Sequence, residues 1–326
     1  MVTAGCSLGS VGVTVLVLIA IVGFVAQLID GAIGMAFGIT STTMLLIVGY
    51  GPAMASAVVH LTEIGTSIAS GAFHLRFGNV DRAALLKVAV PGGIGAFVGA
   101  MLLSSIDLSA ARPWTATLLL VLGVVILLRF SRVAILGVTR RARARWLMPL
   151  GLAGGFVDAT GGGGWGPIVT TTLTASNALT PRKAIGTANT AEVVVALAAS
   201  AGFLIGLGAS SIPWDAALAL LVGGIIAAPI AAKLVSIAPQ RILGLLTGTV
   251  IVLLNVYQLA TALDAPDGIV IAALVVGLLG CAVAVGAGVR VHLAEPRGGV
   301  SGGASTGESA AASEAPGEDP LEQRRD

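Results

Sequence analysis

The chain has 326 residues, 56% apolar and only 10% charged, with a mean hydropathy of +0.98 and a formal net charge of +2. A soluble domain has roughly a quarter of its residues charged, so this composition excludes a water-covered globule and calls for a lipid bilayer as partner. Basic residues are not interleaved with aromatics, which excludes nucleic acid; Cys6 and Cys281 share no CxxC spacing, so neither a metal site nor a cofactor is expected.

Residues 1–10 lack the basic stretch of a secretory leader, so the apolar run Val11 to Ile29 is read as a retained membrane helix. Asp30 closes it and opens a glycine break, Asp30-Gly31-Ala32-Ile33-Gly34-Met35-Ala36-Phe37-Gly38, followed by Thr42-Thr43, Pro52 and Glu63. The runs Leu85 to Leu103 and Leu118 to Leu128 complete a first membrane repeat over 1–130. The most basic segment runs from Arg129 to Arg145, with Arg129, Arg132, Arg140, Arg141, Arg143 and Arg145; residues 131–146 are read from it as a cytoplasmic linker by the positive-inside rule.

A second copy of the break then appears, Asp158-Ala159-Thr160-Gly161-Gly162-Gly163-Gly164-Trp165-Gly166, followed by Thr170-Thr171, Pro181 and Glu192. Asp158 lies 128 residues after Asp30 and Glu192 lies 129 after Glu63, so one residue is inserted between them. With Ala184 to Leu207, Ala216 to Ala232 and Leu243 to Leu263, this is a second repeat over 147–263. Ile269 to Val289 predicts an extra transmembrane helix within 264–290, and the Gly-, Ser-, Ala-, Pro- and acid-rich stretch over 291–326 is expected to be disordered. The fold class is therefore an all-α polytopic membrane protein of two pseudo-symmetric helical repeats with broken helices.

Counting crossings from the basic linker puts Arg76 to Lys87, Arg182-Lys183, Arg241 and Arg290 inside and Asp264 to Asp267 outside. The count closes if Leu147 to Asn177 crosses an even number of times, either as a full hairpin or as a re-entrant pair of half-helices. The loop at Arg76 to Asp81 then falls inside and its counterpart at Gly208 to Pro213 outside, making the repeats inverted. Inverted repeats with broken helices place a transporter's substrate site near the bilayer midplane.

The residues able to carry chemistry are those the two copies share. Asp30 and Asp158 can hold a cation, relay a proton, or cap the half-helix that follows. Gly34, Gly38, Gly162 and Gly166 have small-xxx-small spacing for close packing, whereas Gly161-Gly162-Gly163-Gly164 is dense enough to unwind a helix and offer N–H groups to an oxyanion. Thr42, Thr43, Thr170 and Thr171 can donate to the same anion, or back-bond to their own helices. Two mid-helix pairs, His60/Glu63 and Asn189/Glu192, each share a helix face; an intramembrane acid is either functional or a locking hydrogen bond. Trp165 either gates the cavity or fills space left by the glycines. His74 and Asp81 are read as loop and interfacial residues, and Trp114, Trp146 and Trp214 as interfacial anchors. No Lys or Arg is evident deep in the apolar core.

At these residues the chain resembles the sulfite exporter TauE/SafE family, also described as the 4-toluene sulfonate uptake permease family. The likeness covers about Val11 to Val289 and is strongest at Gly161-Gly162-Gly163-Gly164-Trp165-Gly166-Pro167. The first copy departs from it, with Met35 and Ala36 interrupting the glycines and Ile39 in place of Pro167. The resemblance implies a plasma-membrane transporter of a small anionic substrate such as sulfite or a sulfonate. The competing readings are a passive anion channel and a non-transport membrane scaffold; a homo-oligomer is left open. An enzyme is not expected, since no nucleophile–base pair or HExxH cluster is present.

Overall fold

Gly51-Pro52 and Thr180-Pro181 place a proline at the first position of a helix, where its missing N–H costs nothing. These starts recur at matching points of two runs of helices. The computed structural model describes residues 12–33, 35–131, 146–175, 179–235 and 240–294. The first run is α1 (Val13–Ile33), α2 (Phe37–Val48), α3 (Pro52–Arg76), α4 (Arg82–Ser105) and α5 (Leu108–Ser131). The second is α6 (Leu147–Gly161), a π-helical turn (Gly166–Thr170) leading into α7 (Thr171–Ala175), then α8 (Pro181–Leu207), α9 (Trp214–Val235) and α10 (Gln240–Ala262); α11 (Asp267–Ala294) follows. The protein is all-α, with no strand among the described residues.

Six helices, α1, α4, α5, α8, α10 and α11, are long and apolar enough to cross a membrane. Their outer faces carry bare hydrophobic side chains, such as Val276, Leu279 and Val283 of α11, each more than 60% exposed. α3 has 25 residues, but a polar face lowers its mean hydropathy. At ~1.5 Å per residue, the 12 residues of α2 and 15 of α6 fall short of a membrane core of about 30 Å. Of the two arrangements left open for the second break, the structure thus takes the pair of short helices.

Two boundaries differ from the sequence reading. Arg129 and Ser131 belong to α5 rather than to the linker, and the last helix continues to Ala294, so 291–294 are helical rather than tail. The expectations for 132–145 and 295–326 concern residues outside those described.

Partners are exchanged between the runs. α1 packs on α9 and α6 on α4, while α3 meets α8 and α5 meets α10; α11 lies against α10 and α5. Glycines permit the two closest crossings. A Cβ on Gly223 would strike the Ala20 carbonyl, and one on Gly155 would lie 2.8 Å from the Gly92 carbonyl carbon. Gly155→Ala is therefore expected to force α4 and α6 apart and lower the melting temperature of the purified protein. Gly280→Ala in α11, where a Cβ meets nothing within 4 Å, is the control; it is expected to leave the melting temperature unchanged or raise it, since Ala in a helix is favoured by roughly 0.5–1 kcal/mol over Gly.

Candidate functional site

The two breaks touch each other. A Cβ on Gly38 would lie 2.6 Å from Gly163 Cα, and one on Gly166 would lie 2.8 Å from Met35 Cβ. Thr42 Oγ1 donates to the Gly162 carbonyl, tying α2 to the end of α6. Gly162 (φ 72°) and Gly163 (φ 140°) adopt the conformations that glycine favours, and both N–H groups bond to the Asp158 carbonyl. In the first copy Ala36 takes φ 143° despite its side chain, a strained position worth about 1–3 kcal/mol.

Each break is held by its aspartate in the same way. Asp30 Oδ1 accepts from the Phe37 N–H at 3.2 Å, and Asp158 Oδ1 accepts from the Trp165 N–H at 2.9 Å, seven residues on in both cases. Asp158 Oδ1 also accepts from Gly164 N–H at 2.6 Å. These are the bonds that the capping alternative requires: a carboxylate satisfying orphan donors at a helix start. Asp158 Oδ2 is engaged as well, 3.2 Å from His60 Nε2.

A cavity of about 320 Å³ opens at this crossing. Asp30, Gly38, Glu63, Asp158, Gly163, Trp165, Gly166, Asn189 and Glu192, all singled out from the sequence, line it. Gly161, Gly162, Gly164, Thr42, Thr43, Thr170 and Thr171 do not, and Gly34 lies outside the described residues. The threonine hydroxyls face other partners or none. Thr43 Oγ1 accepts from Asn255 Nδ2 at 3.1 Å and Thr171 Oγ1 accepts from Arg129; the Thr170 hydroxyl is buried with no hydrogen-bond partner among the described residues.

Trp165 lines the cavity with one edge and fills a void with the rest. It is 1% exposed, its Nε1 donates to Ala188 O at 2.9 Å, and its ring sits where a Cβ on Gly92 would be. The two polar pairs divide: Glu63, Asn189 and Glu192 face the cavity, while His60 turns away toward Asp158.

The structure corrects the reading of His74 as a loop residue: it lies in the last turns of α3, lines the cavity, and has Nε2 3.4 Å from Asn189 Nδ2. Ser67 and Ser70 were missed. Ser67 Oγ donates to Glu192 Oε2 at 3.0 Å, and Ser70 Oγ accepts from Asn189 Nδ2 at 3.3 Å. Their signal was a spacing of four, three and four residues through Glu63, Ser67, Ser70 and His74, a single helix face. Arg129 corrects the view that no base approaches the core. Its guanidinium turns back to Thr171, and Nη1 lies 3.2 Å from Met35 Sδ, touching one residue from each break.

Comparison with known proteins agrees with this architecture. The sulfite exporter TauE/SafE family matches residues 19–258. A probable membrane transporter protein of Bacillus subtilis (strain 168), YtnM, is 46% identical over 243 residues, covering 74% of this chain and 81% of the relative. A probable membrane transporter protein of Haemophilus influenzae is 28% identical over 229 residues, covering 69% and 87%. No solved structure matches.

Proposed function

Since the chain belongs to the sulfite exporter TauE/SafE family, and is thus a multi-pass membrane transporter rather than an enzyme, we propose that it carries small sulfite-type or organosulfur anions by proton-coupled alternating access. The observation that carries this reading is the cavity at the crossing of the two breaks, lined by Asp30, Glu63, Asp158 and Glu192 with no Lys or Arg among its lining residues. Four carboxyl groups around one small space repel an anion unless protons enter with it, because an uncompensated buried charge is costly. Charge balance therefore couples the substrate to protons. The start of α2, where Gly38 and Ile39 line the cavity, supplies the positive end of a helix dipole for the anion.

The exchange of partners between the two runs supports inverted repeats.

The test is uptake of sulfite and a panel of sulfonates into proteoliposomes, with and without an imposed proton gradient. Gradient-driven uptake of one anion is expected, reduced about tenfold or more in Glu63→Gln and in Glu192→Gln, on the scale of one lost charged interaction. Uptake indifferent to the gradient and to both substitutions would establish a passive pathway instead. No uptake of any anion would remove the substrate class.

A further inference from the structure

The hydrogen bonds around His60 fix where its protons are. Nδ1 lies 2.8 Å from the Ser56 carbonyl oxygen, which can only accept, so Nδ1 carries a proton. The Ser56 hydroxyl gives its own proton to Ala159 O at 2.7 Å, so it too meets Nδ1, at 3.3 Å, as an acceptor. Nε2 therefore faces Asp158 Oδ2 at 3.2 Å with both side chains at most 2% exposed. A neutral imidazole against a carboxylate would set lone pair against lone pair. One further proton lies between them, on one atom or the other, and the pair is neutral as a whole.

We propose that His60 and Asp158 form a proton-binding site that exchanges its proton with Glu63, and through Glu63 with the cavity. The inference rests on the coupled-transporter reading and names the groups that do the coupling. One oxygen of Glu63, one ring nitrogen of His60 and one oxygen of Asp158 lie within 4.8 Å of one another. Glu63 is 4% exposed, lines the cavity, and has an Oε2 with no hydrogen-bond partner among the described residues. An unpartnered buried oxygen is costly, and a transferred proton would relieve that cost. From Glu63, the cavity wall continues along Ser67, Ser70 and His74 of α3. The other titratable groups facing this cavity are Asp30 from α1, Glu192 from α8 and His74.

The transfer balances. The proton leaves the Nε2–Oδ2 contact and an O–H bond forms on the Glu63 carboxylate; His60 remains a neutral imidazole protonated on Nδ1, Asp158 a carboxylate, and the three groups together keep one negative charge. The contact between α3 and the second break then changes from a hydrogen bond to a repulsion, while Asp158 Oδ1 still holds the Gly164 and Trp165 N–H groups. Proton position thereby sets whether α3 is tied to the break, which is how a bound proton would bias the two conformations of a carrier.

Nitrogen NMR of the full-length protein, labelled at histidine and held in nanodiscs, tests this without a substrate. The His60 signals are identified by their loss in His60→Gln. Across the pH range in which the protein stays folded, Nδ1 should stay protonated while Nε2 loses its proton or hydrogen-bonded character. Glu63→Gln should shift the Nε2 signal at a fixed pH, since it removes the group that exchanges the proton; Glu63→Asp serves where the Gln variant does not fold. A bare Nδ1, an Nε2 state constant over the range, or no response to either Glu63 variant would overturn the site. Sulfite uptake is scored separately. A titrating His60 without uptake keeps the proton site and removes the anion reading; uptake with an inert His60 does the reverse.

Discussion

Gly163→Ala is expected to abolish recovery of folded protein, whereas Gly161→Ala and Gly164→Ala, in the same run of four glycines, leave it intact. At Gly163 the backbone has φ 140° and a Cβ would fall on the Gly38 backbone, against the other break. Neither neighbour can give way, because both are main chain. At Gly161 the nearest atom to a Cβ is 3.5 Å away, and at Gly164 it is the tip of Val157 at 3.1 Å. Neither of these two glycines has a positive φ. Gly162→Ala falls with Gly163, since its φ is 72° and the Thr42 side chain occupies the space. The mirror experiment has the opposite sign. Ala36→Gly removes the strain of φ 143° and is expected to raise stability by about 1 kcal/mol or more. Monodisperse yield on size-exclusion chromatography and thermal melting of each variant would check both halves. Equal tolerance at all four glycines would mean that the crossing of the breaks does not hold the protein together.

This pattern shows where sequence reading reaches and where it stops. The duplicated segment exposes Asp30 and Asp158, Glu63 and Glu192, and the glycines between them, because a repeat marks the same position twice. All four acids face one cavity. What each copy binds is not legible, because the partner comes from the other half of the chain. Thr42 bonds the Gly162 carbonyl across 120 residues and His60 reaches Asp158 across 98, and periodicity carries no information about such pairings. Arg129 misleads for a related reason. Its sequence neighbours are the linker arginines, yet it sits in the last turn of α5 and its long side chain folds back toward Met35 and Thr171. His74, four residues beyond Ser70, reads as a loop residue until α8 is seen to place Asn189 beside it. The half-helix lengths follow more directly, since the glycines that end α6 are visible in the sequence and only their left-handed turn at Gly162 and Gly163 is new.

The two aspartates occupy matching positions but should differ several-fold in what their removal costs. Asp30→Ala deletes the acceptor for the Phe37 N–H at 3.2 Å, with the Ala36 N–H also directed at it, and the loss of such a cap is worth about 1 kcal/mol. Asp158→Ala deletes the acceptor for two N–H groups, at 2.6 and 2.9 Å, and strips the buried His60 of its partner. Removing one member of a buried pair costs about 3–5 kcal/mol, because the other is left uncompensated. Thermal melting should therefore place Asp30→Ala close to the wild type and Asp158→Ala far below it. Asp158→Asn keeps an oxygen for the Gly164 and Trp165 N–H groups and should recover the capping part of the loss. Its amide N–H also donates to the bare Nε2 of His60, so the tie to α3 is kept as a neutral hydrogen bond and most of the loss should be recovered. If Asp158→Asn melts with the wild type, the cap and a neutral hydrogen bond to His60 together hold the second break and stability needs no shared proton. If Asp158→Asn and Asp158→Ala melt together, neither the capping oxygen nor a neutral hydrogen bond replaces the carboxyl group, and the proton shared with His60 is the main tie.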